Sequence, residues 1–188
     1  MKLRADARRN RERVLEVASE LFATDGLSIP VHEIARRAGM GTGTVSRHFP
    51  TKEALFAAVL LNRAHELVAA ARTMAESKGP GEAFFDFFAS MVDEAVANRG
   101  LSDALAGAGF DLETLAADAG HDVFGQLNRL FRRAQRAGAV RKDVDAEDLK
   151  ALLVACFTRA RATRNLKARH RIIRVVSDGL RAPAPRRT

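Results

Sequence analysis

Residues 31–50 carry polar and basic side chains at a spacing that suits contact with DNA. Two short helical patterns meet at Gly39, too close together for anything except a tight turn. Glycine suits this position because a left-handed backbone costs it little where a helix ends. The second helix of such a helix-turn-helix can place its N-terminal residues in a major groove, while the first helix lies across the DNA backbone. The segment therefore predicts double-stranded DNA as a partner.

The second helix of this segment, at about residues 42–48, supplies most of the candidate DNA contacts. Thr42, Gly43 and Thr44 open it, where exposed N–H groups and short side chains can approach DNA closely. Thr42 could alternatively only cap the helix. Arg47 is long enough for a bidentate contact with guanine or for a phosphate, although it could also be a solvated surface arginine.

Further basic residues are candidates for contacts with DNA phosphates. Lys52 lies in the first turn of the next helix, whose N–H groups could hold a phosphate together with its ammonium group. Arg36 and Arg37 are weaker candidates, since one of them could simply solvate its helix. The arginines within residues 4–13 could enter a minor groove as an arm or form a disordered basic tail.

The residues offer little support for nucleotide binding or catalysis. Residues 39–43 are rich in glycine, but a dinucleotide-binding loop needs a preceding strand, and here a helix precedes. Cys156 lies on an apolar helical stripe without a neighbouring histidine, which indicates a buried thiol. Asp118 and His121 lack the carboxylate partners that a metal site in a helical bundle requires. We therefore expect no enzyme, no catalytic residues, no cofactor and no metal.

The composition is that expected of a cytoplasmic protein. The chain has 188 residues, 47% of them hydrophobic, which is enough for a sizeable core. Its single cysteine excludes an intramolecular disulfide and fits a reducing compartment. The N-terminus has no apolar signal region, and no run approaches the ~18 apolar residues of a membrane span.

Charge divides the chain into three parts. The net charge is +4 over residues 1–52, −5 over 53–158 and +9 over 159–188. A basic N-terminal module on an acidic body is typical of a phosphate-binding head. The basic C-terminus is most simply a solvated helix face plus a tail. We expect a DNA-binding domain at 1–52, a helical ligand-binding and dimerisation domain at 53–182 and a disordered basic tail at 183–188.

Helical periodicity runs through the whole chain and predicts an all-α protein of about nine helices, with no strand pattern and no internal repeat. Thr51 is the expected N-cap of the helix that follows the helix-turn-helix. Residues 111–137 read as one long helix that could be interrupted at Gly120. Asp145 and Asp148 have the spacing of a capping arrangement.

Helices at about 55–77, 82–98 and 111–137 carry an excess of Phe and Met. Core packing is the default for any one of these side chains, but together they could line a pocket for an apolar or amphipathic ligand. His65, His121 and Arg159 are conceivable polar anchors, although each could lie on the surface or be satisfied in the core. The candidate lining comprises Leu67, Met74, Phe88, Met91, Leu105, Phe124, Leu127 and Phe131.

The last two long helices carry more apolar side chains than one chain can cover. This excess predicts a homodimer in which helix pairs from two chains form a four-helix bundle about a two-fold axis. The candidate interface comprises Leu149, Leu152, Leu153, Cys156, Phe157, Ile172, Ile173, Val176 and Leu180.

The chain resembles the TetR/AcrR family of one-component transcriptional regulators, closely over residues 10–60 and by helix number and layout beyond them. Residues 134–144 are similar to a ligand-domain pattern of many members. The resemblance implies a homodimer with a variable pocket, whose small-molecule ligand releases DNA. The residues that carry it are Phe22, Ala23, Gly26, Ile34, Ala35, Ala38, Gly39, Gly43, Thr44, Arg47, His48, Phe49, Pro50, Lys52, Glu53, Ala54 and Leu55.

One position departs from the family pattern. The family typically has Tyr at the position of Ser46, where the hydroxyl often reaches a DNA phosphate, and serine has a shorter reach. His48 matches a position that touches the DNA backbone, although beside Phe49 it could instead be partly buried packing. The resemblance implies a repressor released from a palindromic operator. The alternatives are an activator or ligand-independent regulator of the same fold, and a helical hydrophobe carrier with a vestigial DNA-binding head.

Overall fold

The computed structural model describes residues 2–25, 27–109, 111–162 and 165–183, and the side chains of all of these except residues 2–5, 112 and 113. This part of the chain forms helices and an isolated antiparallel bridge between Val140 and Arg181, which confirms the all-α class. The tail expected at 183–188 lies outside the described residues except for Pro183. The helices are α1 (Lys2–Thr24), α2 (Val31–Arg37), α3 (Thr42–His48), α4 (Lys52–Ser77), α5 (Pro80–Ala97), α6 (Arg99–Gly107), α7 (Leu112–Asp118), α8 (Val123–Arg136), α9 (Ala146–Arg161) and α10 (Leu166–Leu180).

The chain divides into two compact units. The N-terminal unit comprises residues 1–65 and 98–121, and the C-terminal unit comprises 66–97 and 122–188. The N-terminal unit extends beyond residue 52 because Leu55 and Val59 of α4 and Leu105 of α6 pack into its core. The functional boundary that we place at residue 52 stays a prediction.

Helix α1 presents one apolar stripe to the core of the N-terminal unit. Val14, Leu15 and Ala18 are buried there, together with Leu21 and Phe22 about one turn after Ala18. The backbone is already helical from Lys2. The alternative of a disordered tail at residues 4–13 is therefore wrong, because these arginines lie on the first turns of a helix, whereas entry into a minor groove stays a prediction.

Helix α4 is long and apolar enough to cross a membrane by length and composition, with an 18-residue window of mean hydropathy 1.4. By length and composition alone, one such helix is weak evidence for a membrane span. The core helix of a soluble protein passes the same test, and α4 buries Leu55 and Val59 in one core and Ala71 in the other.

The core of the C-terminal unit is built around the phenylalanines of α5. Phe84, Phe87 and Phe88 are completely buried, and the ring of Phe84 lies 5.5 Å from that of Phe131 on α8, measured between centroids. Phe85 lies off this stripe. Its ring is covered by the guanidinium of Arg181, 4.4 Å from the centroid, which explains how one helix buries aromatic rings on several faces.

Residues 111–137 form two helices rather than one. Gly120 adopts a φ of 77° after α7, and the chain then restarts as α8. The side chain of Asp122 caps α8 by accepting a hydrogen bond of 2.7 Å from the N–H of Gly125. The capping box of Asp145 and Asp148 forms at the start of α9 as the sequence predicts.

Helices α9 and α10 form an antiparallel pair whose outer ends are joined through the backbone. The N–H of Arg141, before α9, donates to the carbonyl of Leu180 at 3.0 Å, and the N–H of Ala182 donates to that of Ala139 at 3.2 Å. Gln135 of α8 holds the segment between α8 and α9 in place. Its buried carboxamide donates hydrogen bonds to the carbonyls of Arg141 and Val144.

Candidate nucleic-acid interface

The turn between α2 and α3 has the backbone geometry that the sequence predicts. Gly39 has a φ of 72°, and the N–H of Met40 reaches back to the carbonyl of Ala35 at 2.9 Å. Ile34 and Ala35 are completely buried, so that α2 lies against the core. The left-handed glycine lets the chain turn within four residues, and this sets where α3 begins.

Helix α3 is held by its buried face and leaves the other face free. Val45 is completely buried, and Phe49, which follows the helix, is 4% exposed. Thr44 and His48 are half-buried. The exposed predicted residues are Thr42, Gly43, Ser46 and Arg47. The sequence-predicted contacts on α3 therefore fall into one outward face and its two flanks.

Gly43 lies on this outward face without any packing reason for being glycine. A Cβ built at this position meets no atom within 4 Å, and the residue is helical. Glycine within a helix costs about 1 kcal/mol relative to alanine. The fold leaves room for a side chain at this position, so packing within the chain does not require glycine there.

Thr42 does not cap α3. The N-cap residue is Gly41, and no side chain accepts a hydrogen bond from the first turn there. The capping alternative for Thr42 is therefore wrong, and its exposed hydroxyl is free to contact a ligand. The next helix differs: the hydroxyl of Thr51 accepts a hydrogen bond of 3.0 Å from the N–H of Ala54, as the sequence predicts for an N-cap.

Lys52 and His48 flank α3 and are each seated against an aromatic ring. The ammonium nitrogen of Lys52 lies 5.8 Å from the centroid of the Phe56 ring, and the His48 and Phe49 rings are 6.2 Å apart between centroids. Both residues are half-buried. Their apolar parts therefore take part in packing while their polar ends remain available to a phosphate.

Arg36 and Arg37 are both bound to one carboxylate on their own helix. Arg36 donates to Glu33 through Nε at 2.8 Å and Nη2 at 2.6 Å, and Arg37 donates to it through Nε at 2.9 Å. These hydrogen bonds, chiefly that from Arg36, lower the pKa of Glu33 to about 2 and raise the pKa of Arg36. Arg36 is therefore the weakest of the predicted DNA contacts, since its charge already has a partner.

Two family sequence models match the chain on either side of the middle of α4. Residues 14–59 match the N-terminal model described as bacterial regulatory proteins of the tetR family. Residues 79–182 match the model described as the SbtR-like transcriptional regulator C-terminal domain. The chain belongs to the TetR family. It is thus a DNA-binding transcriptional regulator by family, and members are regulators rather than enzymes.

Solved TetR-family structures resemble the chain over almost its whole length. A TetR transcription regulatory protein from Mycobacterium vanbaalenii is 51% identical, with a TM-score of 0.78, and the match covers 96% of this chain and 99% of that one. A TetR transcriptional regulator from Streptomyces coelicolor is 30% identical, with a TM-score of 0.73, over 93% and 99%. A helix-turn-helix-type regulator of Staphylococcus aureus is 43% identical over 54 residues, which span only 28% of this chain and 29% of that protein.

In this TetR-family chain, seven of the eight candidate ligand contacts belong to the core of the C-terminal unit. Phe88, Leu127 and Phe131 are completely buried and Met91 is nearly so. The remaining three, Leu67, Met74 and Phe124, are half-buried against the same core. Leu105 does not join them, because α6 packs it into the core of the N-terminal unit.

The expected polar anchors do not point into this core. Arg159 and His65 are exposed, and the rings of His65 and His121 pack edge to face with centroids 5.2 Å apart. The sequence analysis missed Asn128, whose buried side-chain oxygen accepts no hydrogen bond within the described part of the chain. Its position between Phe124 and Phe131, one turn from each, was the available signal.

The candidate dimer helices use part of their apolar surface within the protomer. Leu149, Leu153, Cys156 and Leu180 are at most 3% exposed and complete the core of the C-terminal unit, which leaves them little surface for a partner, and their assignment to a dimer interface stays a prediction. Burial also raises the pKa of the Cys156 thiol to about 11, in keeping with the predicted buried thiol.

Other apolar residues of the same helices are less completely buried. Leu152, Phe157, Ile172, Ile173 and Val176 are half-buried against the core. The large apolar side chains that stand exposed in the described part of the chain are Val154 of α9 and Leu166 and Val175 of α10. The sequence analysis did not include these three among the candidate interface residues.

Proposed function

We propose that this TetR-family protein is a cytoplasmic homodimeric repressor that binds a palindromic operator and is released by a small apolar or amphipathic molecule. The observation that carries the proposal is the outward face of α3. Its exposed threonine, serine and arginine side chains surround a glycine that packing does not require. A surface of this kind is suited to close contact with a nucleic acid backbone and base edges.

In the proposed complex, two α3 helices enter successive major grooves about one helical turn apart. Thr42, Thr44 and Arg47 read base edges, and Gly43 admits the DNA close to the helix. Ser46 on the outward face and the flanking His48 and Lys52 contact phosphates. Arg36 adds a weak phosphate contact because Glu33 already neutralises it. Such contacts position the helix, whereas the base contacts supply sequence preference.

The proposed dimer forms through the outer faces of α9 and α10. The three exposed apolar side chains Val154, Leu166 and Val175 would be covered there, which removes apolar surface from water. The half-buried residues of the same helices, such as Leu152 and Phe157, would lie at the edge of this interface. A two-fold axis would make the contact self-complementary and set the spacing of the two heads.

The proposed effector binds within the helices of the C-terminal unit. Met74 and Phe124 are half-buried beside the core, and the unpartnered oxygen of Asn128 offers one hydrogen-bond acceptor among apolar side chains. This combination favours an apolar molecule that carries a hydrogen-bond donor. A hundredfold loss of DNA affinity on effector binding requires about 2.7 kcal/mol of coupling, and DNA then weakens effector binding equally.

A ligand-independent regulator is the second candidate. Phe88, Leu127 and Phe131, which the effector proposal places at the ligand, are completely buried by protein atoms. A core that is already filled gives an effector little room, because protein interiors are close-packed. The two candidates share the same DNA-binding surface and differ only in what the C-terminal unit does.

DNA selection with the purified protein tests the proposal. A pool of random-sequence duplexes is enriched for binding, sequenced, and compared with scrambled controls by fluorescence anisotropy at several salt concentrations. We expect an inverted repeat among the selected duplexes and an affinity that falls steeply with salt. An absence of salt-dependent binding to any duplex would contradict the proposal and favour the hydrophobe carrier. Screening apolar compounds against the selected complex then separates effector-released from ligand-independent regulation.

A further inference from the structure

Arg11 of α1 is a cation placed beside the C-terminal end of α3. The central carbon of its guanidinium lies 5.5 Å from the centroid of the Phe49 ring, and Phe49 directly follows α3. The side chain of Arg11 is exposed, whereas the ring beneath it is buried. A cation over an aromatic face is attracted to it and is held in position without losing contact with solvent.

The position of Arg11 follows from the periodicity of α1. It precedes the buried Val14 by three residues and the buried Leu15 by four, so it extends the core-facing stripe of the helix by one turn. At this level the core ends, and the side chain meets Phe49 instead. Arg9 and Arg13 lie on a different face of the helix.

Arg11 also differs from the neighbouring arginines in that its charge has no acidic partner in the described part of the chain. Arg8 pairs with Glu12 at 3.5 Å, Arg9 with Asp6, and Arg13 with Glu16 at 3.3 Å. Among the described side chains, Arg11 has no acidic partner. Of the α1 arginines with described side chains, it is therefore the one whose positive charge is not neutralised locally.

We propose that Arg11 binds a DNA phosphate beside the C-terminal end of α3, a role that rests on the proposed function. The N-terminal residues of a recognition helix lie closest to base edges, and neighbouring elements beside its C-terminal end can contact the sugar-phosphate backbone. An arginine there contributes to affinity and register rather than to sequence preference. The aromatic ring of Phe49 fixes the guanidinium before DNA arrives, so little side-chain freedom is lost on binding.

The test compares Arg11→Leu with Arg9→Leu, two variants of one helix with the same change in net charge. Leucine keeps an apolar cover over Phe49 but removes the cation. Affinity for a fixed 30-base-pair random-sequence duplex is measured by fluorescence anisotropy between 50 and 200 mM salt. For Arg11→Leu we expect the slope of log affinity against log salt to fall by about 0.9, with affinity about eightfold lower at 0.1 M salt. Arg9→Leu should retain the wild-type slope.

Two further variants make the result decisive. Arg11→Lys keeps the charge and should restore the slope, which a purely structural role over Phe49 would not require. Arg47→Ala serves as the reference variant, with an expected loss of DNA affinity through α3. Binding that Arg47→Ala weakens but Arg11→Leu leaves unchanged would overturn this assignment alone, as would equal losses in Arg11→Leu and Arg9→Leu. A wild-type protein without salt-dependent affinity would overturn the proposed function and this assignment with it.

Discussion

The two compact units keep their candidate functional side chains in opposite environments. In the N-terminal unit, Thr42 and Arg47 lie on the surface of a helix that other residues hold in place. In the C-terminal unit, Phe88 and Phe131 are themselves what holds the helices together. A surface residue can be replaced with a change in affinity alone, whereas a buried one changes stability first. Function and folding are thus separable in the first unit and coupled in the second.

The largest effect is expected in the buried core. Phe131→Ala removes a completely buried ring that packs against Phe84, and it should lower the free energy of unfolding by about 3–5 kcal/mol. The matched control is Phe124→Ala on the same helix, whose ring is half-buried and covered by the ammonium group of Lys150. Denaturant unfolding followed by circular dichroism measures both. Equal losses would mean that burial does not distinguish the two positions.

The exposed apolar residues of α9 and α10 come next. Val154→Asp combined with Val175→Asp would place two charges in the proposed interface, where burying an unpaired charge is strongly unfavourable. We expect self-association to weaken at least a hundredfold, or about 2.7 kcal/mol, in sedimentation at micromolar concentration.

The control for the interface is a charged pair on exposed alanines of the other unit, Ala106→Asp with Ala117→Asp. This pair should sediment as wild type does. A dimer that persists with both valines replaced would place the interface elsewhere.

Substitutions on α3 should lower DNA affinity without lowering stability. Arg47→Ala is expected to cost about 1–3 kcal/mol of binding to a selected operator if Arg47 reads a base, with a smaller loss for Thr44→Ala. Arg72→Ala removes an exposed arginine from α4 and controls for net charge. Uniform weakening across operator variants would reassign Arg47 to a phosphate contact. Unchanged binding by both α3 variants would show that this surface of α3 does not bind DNA.

The smallest effect concerns the carboxylate between the two arginines of α2. Glu33→Gln removes the negative charge that pairs with Arg36, whereas Arg37 keeps its ion pair with Asp25 at 3.4 Å, so affinity for random-sequence DNA should rise by less than tenfold. The folded-state pKa of Glu33 is about 2, below its ordinary value of 4.5. Its contribution to stability is therefore complete above pH 4.5 and is lost as the pH falls toward 2.

Thermal melting between pH 5 and 3 checks the second consequence. Wild-type stability should fall more over this interval than that of Glu33→Gln, by a small amount because Arg36 is largely solvated and the pairs are screened. Identical pH dependence in the two proteins would show that the ion pairs contribute nothing in solution.

Sequence predicted those features that depend on residues a few positions apart. The left-handed Gly39, the exposed residues of α3 and the capping box of α9 are set by local backbone chemistry. Helix periodicity also predicted which apolar residues face a core. Periodicity could not predict which of the two cores each of these residues joins. Leu105 and Leu149, for example, are buried through contacts between helices that are distant in sequence. The contact between Arg11 and the ring of Phe49 likewise joins residues that are distant in sequence, so periodicity could not predict it.

The backbone hydrogen bonds between residues 139–141 and 180–182 close α9 and α10 into a loop of chain. Domain swapping of α10 between two protomers would have to open this closure and lift Arg181 from the ring of Phe85. The swapped copies would only re-form the same contacts, so exchange gains no free energy and faces a kinetic barrier. Subunits of the proposed dimer should therefore dock and separate as folded chains, and mixed dimers of two variants should form without unfolding either.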